Sequence, residues 1–178
     1  DTLNYTQPVN EISLANGGQW LVAGATDGSA RIYDLASRQE ISRLASEETG
    51  IFTALAADFS SGRVAAGNDA GGVWIWQAFP PPYQHLEYPT THYIYTNAFS
   101  LDGSLLLAAS GDGTARTWEV ETLTEVSQQE FPKEKVLAAV FSPTGNLAAA
   151  GSMAGKVRVW DASTNEALLD TSLSAGMA

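Results

Sequence analysis

One short phrase recurs four times in this chain: Ala30-Arg31-Ile32-Tyr33-Asp34, Trp74-Ile75-Trp76-Gln77, Ala115-Arg116-Thr117-Trp118-Glu119 and Val157-Arg158-Val159-Trp160-Asp161. The spacing from Tyr33 to Trp76 is 43 residues, and the steps to Trp118 and Trp160 are 42 each. Four hits on so constant a period are very rarely an accident. A repeat of roughly 40 to 45 residues that closes on a strand with an aromatic near its end is the pattern of four-stranded blades arranged radially.

The rest of each unit repeats in step. Five residues before each aromatic stands a glycine, at Gly28, Gly71, Gly113 and Gly155. Glycine reaches the positive φ of a tight turn without steric cost, and in two units it follows aspartate, a hairpin signature. These positions are therefore expected to turn the second strand of each unit into the third. Further upstream, Asn16-Gly17-Gly18, Phe59-Ser60-Ser61-Gly62, Phe99-Ser100-Leu101-Asp102-Gly103 and Phe141-Ser142-Pro143-Thr144-Gly145 predict the turn between the first and second strands.

Alternation supplies the strands. In each third strand Arg31 and Tyr33, Trp74 and Trp76, Arg116 and Trp118, or Arg158 and Trp160 share one face, and Ile32, Ile75, Thr117 and Val159 share the other. First strands at 52–58, 93–99 and 136–141 are nearly continuous apolar runs rich in alanine, which suits strands that converge where room is short. Outer strands are expected at 39–44, 83–87, 124–131 and 166–173, giving sixteen strands and no helix.

These motifs resemble the WD-repeat family, whose unit reads as an apolar residue and Phe-Ser-Pro-Asp-Gly, an alanine- and serine-rich strand, Asp-Gly, and a strand ending Trp-Asp. The resemblance runs from about residue 8 to residue 173. It implies an all-β fold of β-propeller type, a single segment over 1–178 with four-stranded antiparallel blades at about 8–45, 50–88, 92–131 and 135–173. Residues 1–7 would be the outer strand of a preceding blade. Two departures stand out: no unit has the family's Gly-His pair, because His85 and His92 are the only histidines, and Asp-Gly occurs only in units one and three. The family's buried Trp, Ser/Thr, His and Asp network therefore cannot be complete here.

Four blades are few for this family, so three assemblies are weighed: part of a larger propeller in a longer chain, two copies completing an eight-bladed ring, or a closed four-bladed ring or open crescent. The first is favoured, and a start on Asp1 rather than Met also leads us to expect a piece of a longer protein. An open half would expose apolar blade faces and drive self-association or recruit further blades.

Composition then narrows function. The chain has no cysteine, which excludes disulfides and zinc-thiolate sites, and no catalytic constellation of nucleophile, acid and base can be assembled from its residues. It is expected not to be an enzyme and to need no cofactor. Asp27, Asp69 and Asp112 could hold a hard cation, but they read more simply as caps of hairpin turns, so no metal site is assigned. No apolar run approaches the roughly 18 residues of a membrane-spanning helix, and no secretory signal opens the chain, so a cytoplasmic location is expected. Nine Lys plus Arg against twenty Asp plus Glu leave a net charge of −11, which disfavours nucleic acid and favours a basic protein or peptide.

What the resemblance implies is a non-catalytic scaffold for protein–protein interaction; the alternative is a sensor or regulatory propeller within a larger multidomain signalling enzyme. Binding is expected on the rim formed by loops 46–50, 87–92 and 132–135 with the turns at Asp27, Asp69, Asp112 and Met153. Its candidate contact residues are Glu47, Glu48, Tyr88, His92, Asp112, Glu134 and Met153, with Tyr88, His92 and Met153 as anchors. The run Phe79-Pro80-Pro81-Pro82-Tyr83 fits a short proline-recognition pattern, yet it is read as a rigid loop. Tyr33, Trp76, Trp118, Trp160 and the four turn glycines are assigned to structure.

Overall fold

A computed structural model describes residues 7–45, 50–58, 61–77, 83–86, 88 and 90–173. The chain divides into two compact units, Asp1–Ile94 and Tyr95–Ala178. Every sheet has four antiparallel strands in sequential order.

The first unit carries two sheets. One comprises β1 (Val9–Ala15), β2 (Trp20–Ala25), β3 (Ser29–Asp34) and β4 (Gln39–Ala45); the other comprises β5 (Phe52–Ala57), β6 (Arg63–Asn68), β7 (Val73–Gln77) and β8 (Tyr83–Leu86). A short 3-10 turn at Asn16–Gly18, which alternation alone does not signal, joins β1 to β2. The two sheets share a core in which Val22, Ala30 and Ile32 meet Phe52, Leu55, Val64, Trp74 and Trp76. Gly24 permits the approach: a Cβ there would stand 2.9 Å from Leu55 Cδ1.

The second unit repeats the plan. Its strands are β9 (Ile94–Phe99), β10 (Leu105–Ser110), β11 (Thr114–Glu119) and β12 (Glu125–Glu130), then β13 (Val136–Phe141), β14 (Leu147–Ser152), β15 (Lys156–Asp161) and β16 (Ala167–Ser172). Leu107, Ala109, Ala115 and Phe131 pack here against Val136, Ala139, Ala148, Ala150 and Trp160. Alanine dominates because the sheets lie close and larger side chains would not fit at native density.

The four repeated aromatics occupy one structural position. Tyr33, Trp76, Trp118 and Trp160 face Leu21, Val64, Leu106 and Ala148 at the same step of the second-to-third strand ladder. All four are buried, none more than 6% exposed. In three sheets a register shift toward the outer strand falls on the aromatic itself.

Turn chemistry explains how divergent units keep the same hairpin. Gly28, Gly71, Gly113 and Gly155 all have φ between 74° and 93°. Asp27 and Asp112 cap their turns by accepting the Ser29 and Thr114 N–H groups, each at 2.9 Å. Where Asp-Gly is missing, other side chains substitute: Asn68 Oδ1 accepts from Ala70 N and Gly72 N, and Ser152 Oγ accepts from Lys156 N.

The incomplete polar network is replaced too. In the second unit the Trp160 ring N–H donates to Ser127 Oγ (3.3 Å), and Arg158 donates to Gln129 Oε1 and the Glu130 carbonyl. Gln129 in turn donates to Asn165 Oδ1 at 2.6 Å, and the Arg158 guanidinium lies 5.3 Å from the centre of the Phe131 ring. Adjacent sheets are thus bonded without histidine.

Candidate functional site

Loops between the strand ends are the natural place for function on a scaffold of this kind, since their side chains can change without disturbing the cores. In the second unit, three expected rim residues lie on elements bonded to one another. Phe131 N donates to the Gly113 carbonyl, Glu134 N to the Phe131 carbonyl, and Met153 N to the Lys135 carbonyl. These bonds join the Asp112 turn, loop 132–135 and the Met153 turn into one surface. Met153 is 71% exposed there, an apolar side chain on a fixed backbone.

The charges of that surface differ from expectation. Asp112 Oδ1 accepts the Thr114 N–H and hydroxyl within its own turn, and Glu134 Oε2 accepts the Ser152 hydroxyl of the neighbouring turn, so both acids are engaged by the fold. Lys133 and Lys135 flank Glu134 and are exposed. The surface is mixed in charge rather than acidic.

In the first unit, His92 is exposed, and its backbone N–H and ring Nδ1 both lie within hydrogen-bonding distance of Thr90 Oγ1. Tyr88, expected as an exposed anchor, is instead buried at 6% exposure. Burial removes the phenol ring from the accessible rim and makes it a packing residue. Glu47 and Glu48 lie outside the described residues, as do residues 79–82 of the proline-rich run and the side chains of Tyr83 and His85.

Of the aspartates weighed as cation ligands, Asp27 and Asp112 cap their own hairpin turns, whereas Asp69 reaches the residue before β5 and leaves its turn to Asn68. Asp69 Oδ1 accepts the Ile51 N–H, while Asp27 binds Ser29 and the Arg31 guanidinium. Among the described residues no cluster of three or more His, Cys, Asp or Glu could hold a metal ion. Among them, too, no helix is long and apolar enough to cross a membrane.

No expected contact residue lies at the opposite strand ends of the second unit, where the β9–β10 and β13–β14 turns, the last residue of β15 and those after it line a cavity of about 460 Å3. One residue difference does mark it. The position that opens the second strand is Trp20 in the first unit and Leu105 here.

Sequential four-stranded antiparallel sheets, each closing on a buried aromatic at one ladder position, define blades of a repeat protein of β-propeller type. A family model described as "WD domain, G-beta repeat" matches residues 2–34, 83–119 and 125–161, more than half of the chain. The chain belongs to the WD-repeat family. WD repeat-containing protein 55 of Arabidopsis thaliana is 24% identical over 156 residues, covering 88% of this chain and 44% of that protein. A Protein LST8 homolog of Drosophila melanogaster is 26% identical over 160 residues, covering 85% and 51%. A solved chain described under "Crystal Structure of Mitotic Checkpoint Complex" matches with a TM-score of 0.85 at 18% identity, over 97% of this chain and 53% of that one. The chain thus spans about half the length of these relatives. Each family match ends on the residue after the aromatic, and the second and third begin on the fourth strand of the preceding sheet, β8 and β12, so there the sequence repeat is offset from the sheet by one strand.

Proposed function

We propose that this chain is part of a non-catalytic protein–protein interaction scaffold, in which loops on rigid sheets present side chains to a protein or peptide partner. The observation that carries this reading is Met153, a large apolar side chain 71% exposed on a turn that the Lys135 carbonyl holds at 2.8 Å. An apolar residue in open water, on a bonded surface that also carries Asp112, Glu134, Lys133 and Lys135, has the composition of an interface anchor with polar company. Membership of a family whose proteins generally act as scaffolds supports it. The mixed charges on this surface select no sign of partner by themselves.

Site-specific photocrosslinking in cells tests the reading. A photoreactive amino acid at position 153 or 92 should give discrete protein adducts, and Glu134→Lys should diminish the adduct at 153. The same group at Glu121, an exposed residue at the opposite strand ends, should give none of these adducts. Adducts that form equally from all three positions, or from Glu121 alone, would overturn the assignment of this rim.

A further inference from the structure

The cavity in the second unit has a cause in the sequence. Trp20 and Leu105 are equivalent, for each opens its strand and pairs with the residue that follows the repeated aromatic, Asp34 or Glu119. In the first unit the Trp20 indole covers the β5–β6 turn so closely that a Cβ on Gly62 would lie 2.6 Å from its ring. At Gly145, the equivalent turn glycine, a Cβ would meet nothing nearer than Leu101 N at 3.6 Å. Leucine in place of tryptophan leaves the space open.

Its walls have a definite chemistry. Two carboxylates, Asp102 and Asp161, line the cavity, and among the described residues no lysine or arginine does. Asp102 Oδ1 accepts the hydroxyls of Ser100 and Ser104 and the Ser104 N–H, at 2.7, 2.8 and 3.1 Å. Asp161 Oδ1 accepts the Ser163 hydroxyl and N–H and the Thr164 N–H, at 2.7, 2.9 and 2.9 Å. Among the described residues these bonds converge on Oδ1 of each aspartate, with the Thr164 hydroxyl also contributing at Asp161. The turns have therefore spent their donors inwardly and leave acceptors and negative charge for a visitor. Those bonds also secure the charge: the Ser163 hydroxyl, followed by the Thr164 N–H, holds the Asp161 carboxyl at about 2, and the Ser100 hydroxyl foremost holds Asp102 below its ordinary value.

An anion is repelled by such a lining, and a neutral apolar ligand finds too few apolar walls. A bare divalent cation would want six to eight oxygen ligands, more than two carboxylates and a few engaged hydroxyls offer. A guanidinium fits: it has five donors and no acceptor, and its alkyl stem can lie along Leu101, Leu105 and Ala162 while the charge stays partly solvated. We propose that this cavity receives an arginine side chain of a protein or peptide partner, with Asp102 and Asp161 binding the guanidinium and Leu101 and Leu105 packing its methylenes. The site lies at the strand ends opposite the Met153 surface and does not depend on that reading. It places the basic-partner expectation on two specific carboxylates.

The test is an NMR titration of the 178-residue chain with the blocked tripeptide acetyl-Gly-Arg-Gly-amide, its citrulline and lysine counterparts, and calcium chloride. The arginine peptide should shift the amides of Ser104, Leu105, Ser163 and Thr164 saturably, the lysine peptide less tightly, and the citrulline peptide and calcium should leave them in place. Asp102→Asn with Asp161→Asn keeps an Oδ1 acceptor for each turn while removing both charges, and should weaken arginine binding by roughly tenfold or more. Leu105→Trp keeps both charges and fills the space as Trp20 does; it should abolish binding while amides elsewhere stay unmoved. Citrulline or lysine binding as tightly as arginine, a calcium response at the same amides, or arginine binding that survives Leu105→Trp would each overturn the proposal. Failure here leaves the crosslinking result at position 153 unaffected, so the two readings are separable.

Discussion

Replacing Trp160 with alanine should remove a large part of the stability of the second unit. Trp160 is completely buried, packs with Phe131, Val136, Ala139 and Ala148, and donates its ring N–H to Ser127 Oγ at 3.3 Å. A tryptophan side chain of this kind withdraws about 150 to 250 Å2 from water, a gross gain on the order of 4 to 6 kcal/mol at about 25 cal/mol per Å2. Truncation measured on buried aromatics costs about 3 to 5 kcal/mol, because the neighbours relax only partly into the space. Ser127, 3% exposed, would also be left without its donor, which adds about 1 kcal/mol. Since folded domains hold roughly 5 to 15 kcal/mol in total, Trp160→Ala should lower the urea midpoint severely. Trp160→Phe retains most of the apolar area but loses the N–H, and should cost about 1 to 2 kcal/mol. Urea titration gives the magnitude, and hydrogen exchange at the amides of β13, β14 and β15 locates it. A loss under about 1 kcal/mol for the alanine variant would refute the argument that the repeated aromatic holds adjacent sheets together.

Gly113→Ala should cost on the order of 2 to 3 kcal/mol, because φ is 91° and a Cβ would stand 2.7 Å from both the Glu134 and Phe131 carbonyl oxygens. Gly17→Ala, at φ 64° with nothing within 4 Å, should cost only about 1 kcal/mol, and thermal melts of the two variants check the contrast. Tyr88→Ala should destabilise the first unit by about 3 kcal/mol rather than leave it unchanged, as measured by urea unfolding. Asp161 is held at about 2 against an ordinary 3.8, so its contribution is fully present above pH 3.8 and is lost as pH falls toward 2. Asp161→Asn should therefore flatten the dependence of the urea midpoint on pH between about 4 and 2 and leave the slope above pH 5 unaltered.

The strands and their turns were legible in short stretches of sequence. Strand alternation and turn conformation are properties of a few neighbouring residues, so the expected first strand at 136–141 matches β13 and the expected outer strand at 166–173 exceeds β16 by one residue at each end. The glycine turns are local in the same sense, and all four have positive φ. Turns after the aromatics escaped notice because Arg38, Leu123 and Asn165 adopt φ of 57° to 62° without being glycine. Asparagine visits that conformation readily, whereas arginine and leucine do so only in a defined turn.

Which side chains face water and which face one another follows from packing between distant segments. Tyr88 looks like a rim anchor in a polar stretch but is buried, and Glu134 looks like a free acid but binds Ser152 between two exposed lysines. Arg158 reads as one more turn of a repeated phrase until Gln129 and Phe131, some thirty positions earlier, are brought to it. The cavity exists because Leu105 is smaller than Trp20 at a place where two turns distant in the chain converge. Periodicity is encoded over two to five residues and survives divergence. Burial, pairing and empty volume depend on contacts between segments tens of residues apart, and those become definite only when the sheets pack.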